Sequence, residues 1–502
     1  MRAGVSLFPV NPNGTCPLPL PEGRNGYTWR PAAAAAAPSA RMENQHAEGE
    51  GRPGNPNRSR DHFRWDERHH QPHTDMSKWQ KFWASRSDAA QFMRLLGRNL
   101  RQAGPAVRRY RALLAEAPRL HPVAADEFGV AFSPTRATWG RYLERVHDLG
   151  VGALLIRIPS WAPEPVFDLR EELTSLAGEG IRFTFTLVQD RSIVNDPGRW
   201  GAFARQAATL FAPLSPAFQV GHAINRKKWG IWHPDEYVRL LEATAPVREE
   251  FPGCRWIGPP VIDFEYYFTT NYLVARRPFD FDGIAALLYV DRRGSPDAVQ
   301  YRHFDLRRKI LLLRAVVQAS HHPDAPIHLT EFNWPLQGAG KHSPAGAHVQ
   351  TDEAGQARYL VLYYLTAAAT GHVASSFWWQ LAARGYGLVD EETWTERRSY
   401  RAFKHLLART RGWEVRRFPA AAGPLRGFLL RRGDELGVVV YSPGAPCRLD
   451  AAIAPLEARD IVGNEIDPAR LSIGPDPVYL SLGAADPAGV LARLGGSANP
   501  IR

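Results

Sequence analysis

From Phe128 to Thr410 the chain alternates between short apolar runs and amphipathic stretches of helical period, and few folds are open to a chain built that way. Phe128–Ser133 reads as a strand, and Thr138–Leu149 reads as a helix with Trp139, Tyr142, Leu143, Val146 and Leu149 on one face. Strands are expected over Gly152–Ile158, Arg182–Val188, Phe218–Ile224, Arg255–Gly258, Ile284–Val290, Ile327–Glu331 and Ser375–Gln380. Helices are expected over Leu169–Glu179, Pro197–Phe211, Pro234–Glu250, Asp305–Ser320, Glu353–Thr370 and Arg398–Thr410, with a vaguer connection between the fifth and sixth strands. Gly152–Ile158 is nearly continuously apolar rather than alternating, as when both faces of a parallel sheet are covered. Eight such units in residues 126–411 fit an α/β fold, a (β/α)8 TIM barrel. A doubly wound open sheet would share the alternation, but Ser133-Pro134-Thr135-Arg136 stands where a Gly-rich phosphate loop would follow the first strand.

The flanks differ in texture. Residues 412–502 hold six short strand candidates between Trp413 and Leu482, separated by Gly, Pro and Asp, and read as a small antiparallel β-sandwich. Residues 1–75 read as a disordered, low-complexity extension; Arg30 to Pro38 is largely polyalanine, and little that can be buried follows. Met76 opens a new texture and would serve as a translation start. Residues 76–125 read as basic and helical, with one helix from Ser87 carrying Phe92, Leu95, Leu96 and Leu100 on a face, and a second over Pro105–Ala117. Helices of this kind either pack on the domain behind them or rest on an anionic membrane surface through residues 76–117.

Charge and cysteine usage narrow the classes. Residues 1–125 carry +9 of the net +11, so the basic character belongs to the front of the chain and is no argument that the body binds nucleic acid, which is not expected as a partner. No apolar run is long enough to span a bilayer, and Met1–Gly23 makes a poor signal peptide. Cys16, Cys254 and Cys447 are odd in number and lack metal or redox spacing, which implies unpaired thiols and a cytoplasmic setting. His121, His147, His222, His321, His322, His328 and His372 show no metal-binding spacing either; His222 and His328 fall inside strand patterns and read as core or supporting histidines. No Gly-x-Ser-x-Gly occurs, so a nucleophilic serine elbow is not expected. The expectation is no metal and no cofactor.

A parallel barrel gathers its strand C-termini at one rim, where chemistry is done. The seventh strand, Ile327-His328-Leu329-Thr330-Glu331-Phe332-Asn333-Trp334, stops on a carboxylate rather than a turn residue. The second strand offers Arg157 and Trp161. The fourth offers Asn225, Arg226, Lys227, Lys228 and Trp229. The sixth offers Tyr289, and the eighth Trp378 and Trp379. Aromatic faces with a few convergent polar groups are what a carbohydrate site needs, so Trp334, Trp378 and Trp379 join Arg157, Trp161, Asn225, Arg226, Lys227, Trp229 and Tyr289 as candidate substrate contacts.

On these residues, Phe128–Thr410 resembles the clan A retaining glycoside hydrolases. The resemblance implies a β/α barrel with catalytic carboxylates on strands four and seven. It places Glu331 as nucleophile, Arg157 as its support, Tyr289 as the strand-six tyrosine touching it, and Trp379 beneath the sugar. A small appended β-domain suits the clan as well. One departure stands out, because the clan's fourth strand ends Asn-Glu, with Glu as acid/base, and here Asn225 is followed by Arg226. Arginine, with a pKa above roughly 12, delivers no proton at neutral pH. Three explanations stay open. Glu265, in the aromatic loop Asp263-Phe264-Glu265-Tyr266-Tyr267, supplies the proton; or the leaving group is an anion that needs none and is stabilised by Arg226, Lys227 and Lys228; or hydrolysis has been lost, Arg226 pairs with Glu331, and the barrel binds acidic glycans or assists their assembly. Each version expects a carbohydrate partner, favourably an anionic one.

Overall fold

Eight parallel strands close into a ring. They are Phe128–Phe132, Ala153–Pro159, Arg182–Val188, Ala217–Val220, a fifth in two pieces (Arg255–Ile257 and Val261–Ile262), Ile284–Leu287, Ile327–Phe332 and Val373–Trp379. In this computed structural model the described residues are 63–66, 71–74, 88–275, 279–343, 345–418, 425–449 and 455–483, with 453, 486, 489–490 and 499–500. Each strand pairs in parallel with its neighbours in sequence, and the eighth pairs with the first, Phe377 opposite Gly129. The fifth strand closes the ring in two halves. Arg255–Ile257 lies against the fourth strand and Val261–Ile262 against the sixth, while the Gly258 N–H donates to the Gly283 carbonyl at 3.0 Å. The strand expected to end at Gly258 thus lapses and resumes, because Pro259 and Pro260 bring no N–H to the ladder.

Helices Trp139–Leu149, Arg170–Gly178, Pro197–Phe211, Pro234–Glu250, Tyr266–Leu273, Leu306–Gln318, Glu353–Ala368 and Arg398–Thr410 lie between or after the strands. The vague connection after the fifth strand is therefore a real helix, Tyr266–Leu273. Several starts are set by one side chain: the Asp196, Asp305 and Asp352 carboxylates accept from the backbone N–H groups of Arg199, Arg308 and Gly355. The main core runs between strands and helices, where Leu154, Ile156 and Ile158 of the second strand meet Leu173 and Leu176. Alternation then turns Leu155 and Arg157 inward, and Leu155 joins an interior cluster with Ala131, Phe377 and Trp379.

Behind the barrel, Glu414–Arg417, Arg426–Arg432, Glu435–Tyr441, Glu457–Arg459 and Val478–Gly483 form an antiparallel sheet. Its edge is completed by His121–Pro122, which precedes the barrel, so the sheet draws on both sides of it. A second, two-stranded ladder pairs Cys447–Arg448 with Asn499–Pro500. Cys254 and Cys447 are buried free thiols, and Cys16 lies outside the described residues.

The front of the chain departs from expectation twice. Ala89–Ala115 is one helix running through Pro105, where two were expected. Its buried face (Leu95, Asn99, Ala106, Tyr110, Leu113) packs on the barrel helices Leu306–Gln318 and Tyr266–Leu273. Of the extension expected to be disordered, Phe63–Asp66 and Gln71–Thr74 form an antiparallel hairpin; residues 1–62 lie outside the described set. That hairpin has little core of its own and borrows one, setting Trp65 5.0 Å from the Trp161 ring and 6.1 Å from the Trp229 ring.

Candidate active site

Strict alternation along the seventh strand would put Glu331 on the same face as Ile327 and Leu329, in the outer core. A register shift between Leu329 and Phe332 changes the phase. Ile327, Leu329 and Phe332 all pack in the outer core, and Glu331 is turned to the inside by the extra residue. Its carboxylate accepts hydrogen bonds from the Arg157 guanidinium, from the Tyr289 hydroxyl at 2.5 Å and from His222 Nε2 at 3.2 Å. Burial works to raise the Glu331 pKa, but the Arg157 charge and the His222 and Tyr289 donors outweigh it and hold the carboxyl at about 2. His222 goes the other way: burial, reinforced by Arg157, lowers its pKa to about 4, so at neutral pH it is an uncharged imidazole.

This cluster floors a cavity of about 110 Å³. Trp379 lies flat beneath Arg157, whose guanidinium carbon is 3.2 Å from the ring centroid, and Trp229 stands on the other side at 5.6 Å. Two further cations line the space. Lys228 donates to Gln71 of the hairpin at 2.7 Å, and desolvation brings its pKa down to about 8. Arg293 lies over the Tyr289 ring and donates to Asn333, whose amide in turn donates to the Trp379 carbonyl at 2.7 Å. Lys309, itself buried, holds the Tyr289 carbonyl from behind.

Of the residues singled out from sequence, Glu331, Arg157, Trp229, Tyr289 and Trp379 come together around this cavity. Others do not. Asn225 caps the resumed fifth strand, donating to the Ile262 carbonyl and accepting from the Ile262 N–H. Arg226 does not pair with Glu331; it grips Glu265 at 2.8 Å and Asp263 at 2.6 Å in a neighbouring cavity of about 280 Å³. Glu265 accepts from Arg226, Asn225 and the Tyr267 hydroxyl and does not line the Glu331 cavity, which removes the ground for making it the proton donor there. Lys227 sits in the turn Lys227–Trp229, and its neighbour Lys228 lines the cavity instead. Trp161 is half-buried against the hairpin's Trp65. Trp334 and Trp378 face the outer core, stacked at 5.9 Å among Phe332 and Tyr363. Adjacent Trp378 and Trp379 point to opposite faces of one strand, so only one could reach the interior.

Sequence reasoning missed His222, Arg293, Asn333 and Gln71 as cavity residues. His222 reads from sequence as a core or supporting histidine, and it does support Glu331, while Arg293 and Gln71 arrive from loop and hairpin. Among the described residues no group of three or more His, Cys, Asp or Glu side chains is arranged to hold a metal ion.

No family model matches the chain, and no curated protein matches it in sequence. Solved structures resemble it in fold. An endoxylanase of family GH30 from Clostridium papyrosolvens is 11% identical, with 73% of this chain and 98% of that one covered, at a TM-score of 0.48. A 4-O-α-L-rhamnosyl-β-D-glucuronidase from Fusarium oxysporum is 10% identical over 73% and 99%, at 0.46. A xylanase from Cellvibrio japonicus, solved with xylopentaose, is 10% identical over 59% and 70%, at 0.41. At such identities no activity follows from the likeness.

Proposed function

We propose that the Glu331 cavity binds a carbohydrate bearing an anionic group, in a glycoside-hydrolase-like barrel without the proton donor of ordinary glycoside hydrolysis. One observation carries this reading: Glu331 is the one carboxylate among the described residues lining the cavity, against three cations, Arg157, Lys228 and Arg293. Retaining hydrolysis needs a second carboxyl about 5–5.5 Å from the nucleophile to protonate the leaving oxygen. In the resemblance that acid is the second residue of the Asn-Glu pair closing strand four, and we take the strand-four residue that touches Glu331 as the first of that pair. The residue touching Glu331 here is His222, so the acid's place falls to Ala223, which has no proton to give. On this reading the Asn-Glu pair of the clan corresponds to His222-Ala223 and not to Asn225-Arg226. The cation excess favours a carboxylate, sulfate or phosphate on the sugar, and Trp379 and Trp229 supply apolar walls.

A second reading has its own support. Glu331, held at a pKa of about 2 and oriented by three donors, is ionised at any physiological pH, as a nucleophile must be. It would attack only a sugar whose leaving group departs without a proton.

Titration calorimetry with oligosaccharides of uronic acids and their neutral counterparts, alongside a panel of aryl glycosides with activated leaving groups, separates the readings. Binding of the acidic sugars alone, with no turnover, supports the first. Turnover with a covalent adduct mapped by mass spectrometry to Glu331, and abolished in Glu331→Gln, supports the second. Absence of saccharide binding together with absence of turnover overturns both.

A further inference from the structure

We infer that the outward face of helix Ala89–Ala115 is a docking surface for an anionic membrane, holding the barrel against a lipid surface with this helix lying in the plane of the headgroups. The inference is independent of what the cavity binds. The helix is about 40 Å long at 1.5 Å per residue and contains six arginines and no acidic residue. Its inner side is spoken for, with Leu95, Asn99, Ala106, Tyr110 and Leu113 against the barrel. On the side turned away, Met93 and Leu100 are 65% and 66% exposed, and Phe92 at the same end is 38% exposed. These are half of the six large exposed apolar side chains among the described residues, gathered on one helix.

Helical period puts Met93, Leu100 and Arg111 along one line, at i, i+7 and i+18, with Arg94, Arg101 and Arg108 forming the flank one residue on. Arg94 is paired with Asp235 and Arg98 donates to Asn271, but Arg101, Arg108, Arg109 and Arg111 are exposed and make no ion pair or side-chain hydrogen bond among the described residues. Two apolar side chains standing out among free guanidinium groups is the pattern of a helix that inserts shallowly while its cations meet lipid phosphates.

Other occupants fit less well. A second copy of the chain docked on this face about a two-fold axis would set arginine against arginine, with no acid on the helix to relieve it. A nucleic acid would use the arginines but leave Met93 and Leu100 in water. The helix does not cross the bilayer either, since no described helix is long and apolar enough to do so.

The test is co-sedimentation of the full chain with phosphatidylcholine vesicles with and without phosphatidylglycerol, at low and high salt, compared with M93S/L100S and with R101Q/R108Q/R111Q. All five positions are exposed, so melting temperatures and circular dichroism should match the parent. The expected result is binding to the anionic vesicles only, weakened by salt, and at least tenfold weaker in either variant. Equal binding to neutral and anionic vesicles, no binding at all, or parent-like binding by both variants would overturn the inference. So would tighter binding to duplex DNA than to anionic vesicles that M93S/L100S leaves unchanged.

Discussion

Two carboxylate–guanidinium clusters sit near the barrel mouth, and they are built to opposite ends. At Glu331 and Arg157 both side chains are under 10% exposed, the anion is pointed into a cavity by a register shift, and the neighbours Lys228 and Arg293 leave the space cationic. At Glu265 and Arg226 each side chain keeps more than a quarter of its surface in solvent, Asp263 adds a second carboxylate to the same guanidinium, and Asn225 ties the group into the fifth strand. The residue types are the same. Burial and the surrounding charge decide which cluster is poised to meet a ligand and which is a clasp between strands.

The sharpest way to break that contrast is to delete each carboxylate and measure unfolding in denaturant. Glu331→Ala leaves the Arg157 charge buried without its anion and is expected to cost about 3–5 kcal/mol, whereas Glu265→Ala leaves a partly hydrated Arg226 and is expected to cost about 1 kcal/mol or less. Similar losses would dissolve the distinction.

Acid should separate the clusters next. The Glu331 pKa lies below its unfolded value, about 2 against 4.5, so its stabilisation is complete above pH 4.5 and is lost as the pH falls from there toward 2. The His222 pKa is also depressed, to about 4 from 6.5, so the folded protein binds fewer protons than the unfolded chain in that interval and stability declines as pH drops from 6.5 to 4. Stability curves of Glu331→Ala should be shallower in the lower limb, to which Asp297 and Asp390, also depressed, contribute. Those of His222→Gln should be shallower in the upper one, to which His328, His372 and His405, also depressed, contribute as well. A parent-like slope in both variants would contradict the assignment.

Ligand affinity gives a smaller effect. Lys228 loses its proton near pH 8, so binding of an acidic saccharide should weaken as pH rises through 8, and Lys228→Met should bind about tenfold more weakly at pH 7, on the scale of one charge-assisted hydrogen bond, with no step at pH 8. If the step survives the substitution, another group is responsible. The smallest expectation is the most discriminating: Glu265→Gln should change saccharide affinity less than twofold, because Glu265 does not line that cavity.

How far the sequence reached follows from backbone regularity. Arg157, Tyr289 and Trp379 were legible because each lies on or next to a strand whose period fixes which way it faces, whereas Glu331 was legible as a carboxylate ending a strand, its inward turn coming from the register shift. The fourth strand misled because its ladder ends at Val220; Gly221 at φ 82° and Ala223 at φ 42° then swing the chain round. Counting on as though the strand continued made Asn225-Arg226 the rim pair, whereas His222 had already reached Glu331. Trp334 and Trp378 were over-read, since a tryptophan near a rim serves the outer core as readily as a sugar. Arg293 and Gln71 come from segments without period, and only the folded chain brings them to the cavity. The strand Phe63–Asp66 and its partner escaped notice because their packing surface lies on distant residues.

Asp297 ties the two halves of the molecule together. Its carboxylate accepts from Arg417 at 2.5 Å and from the Tyr441 hydroxyl, both on the C-terminal sheet, only four residues along the loop from Arg293. The sheet and the cavity wall therefore share a mechanical link. With that link intact the C-terminal sheet and the barrel should melt as one cooperative unit, and breaking it at Asp297 should let the sheet come apart first.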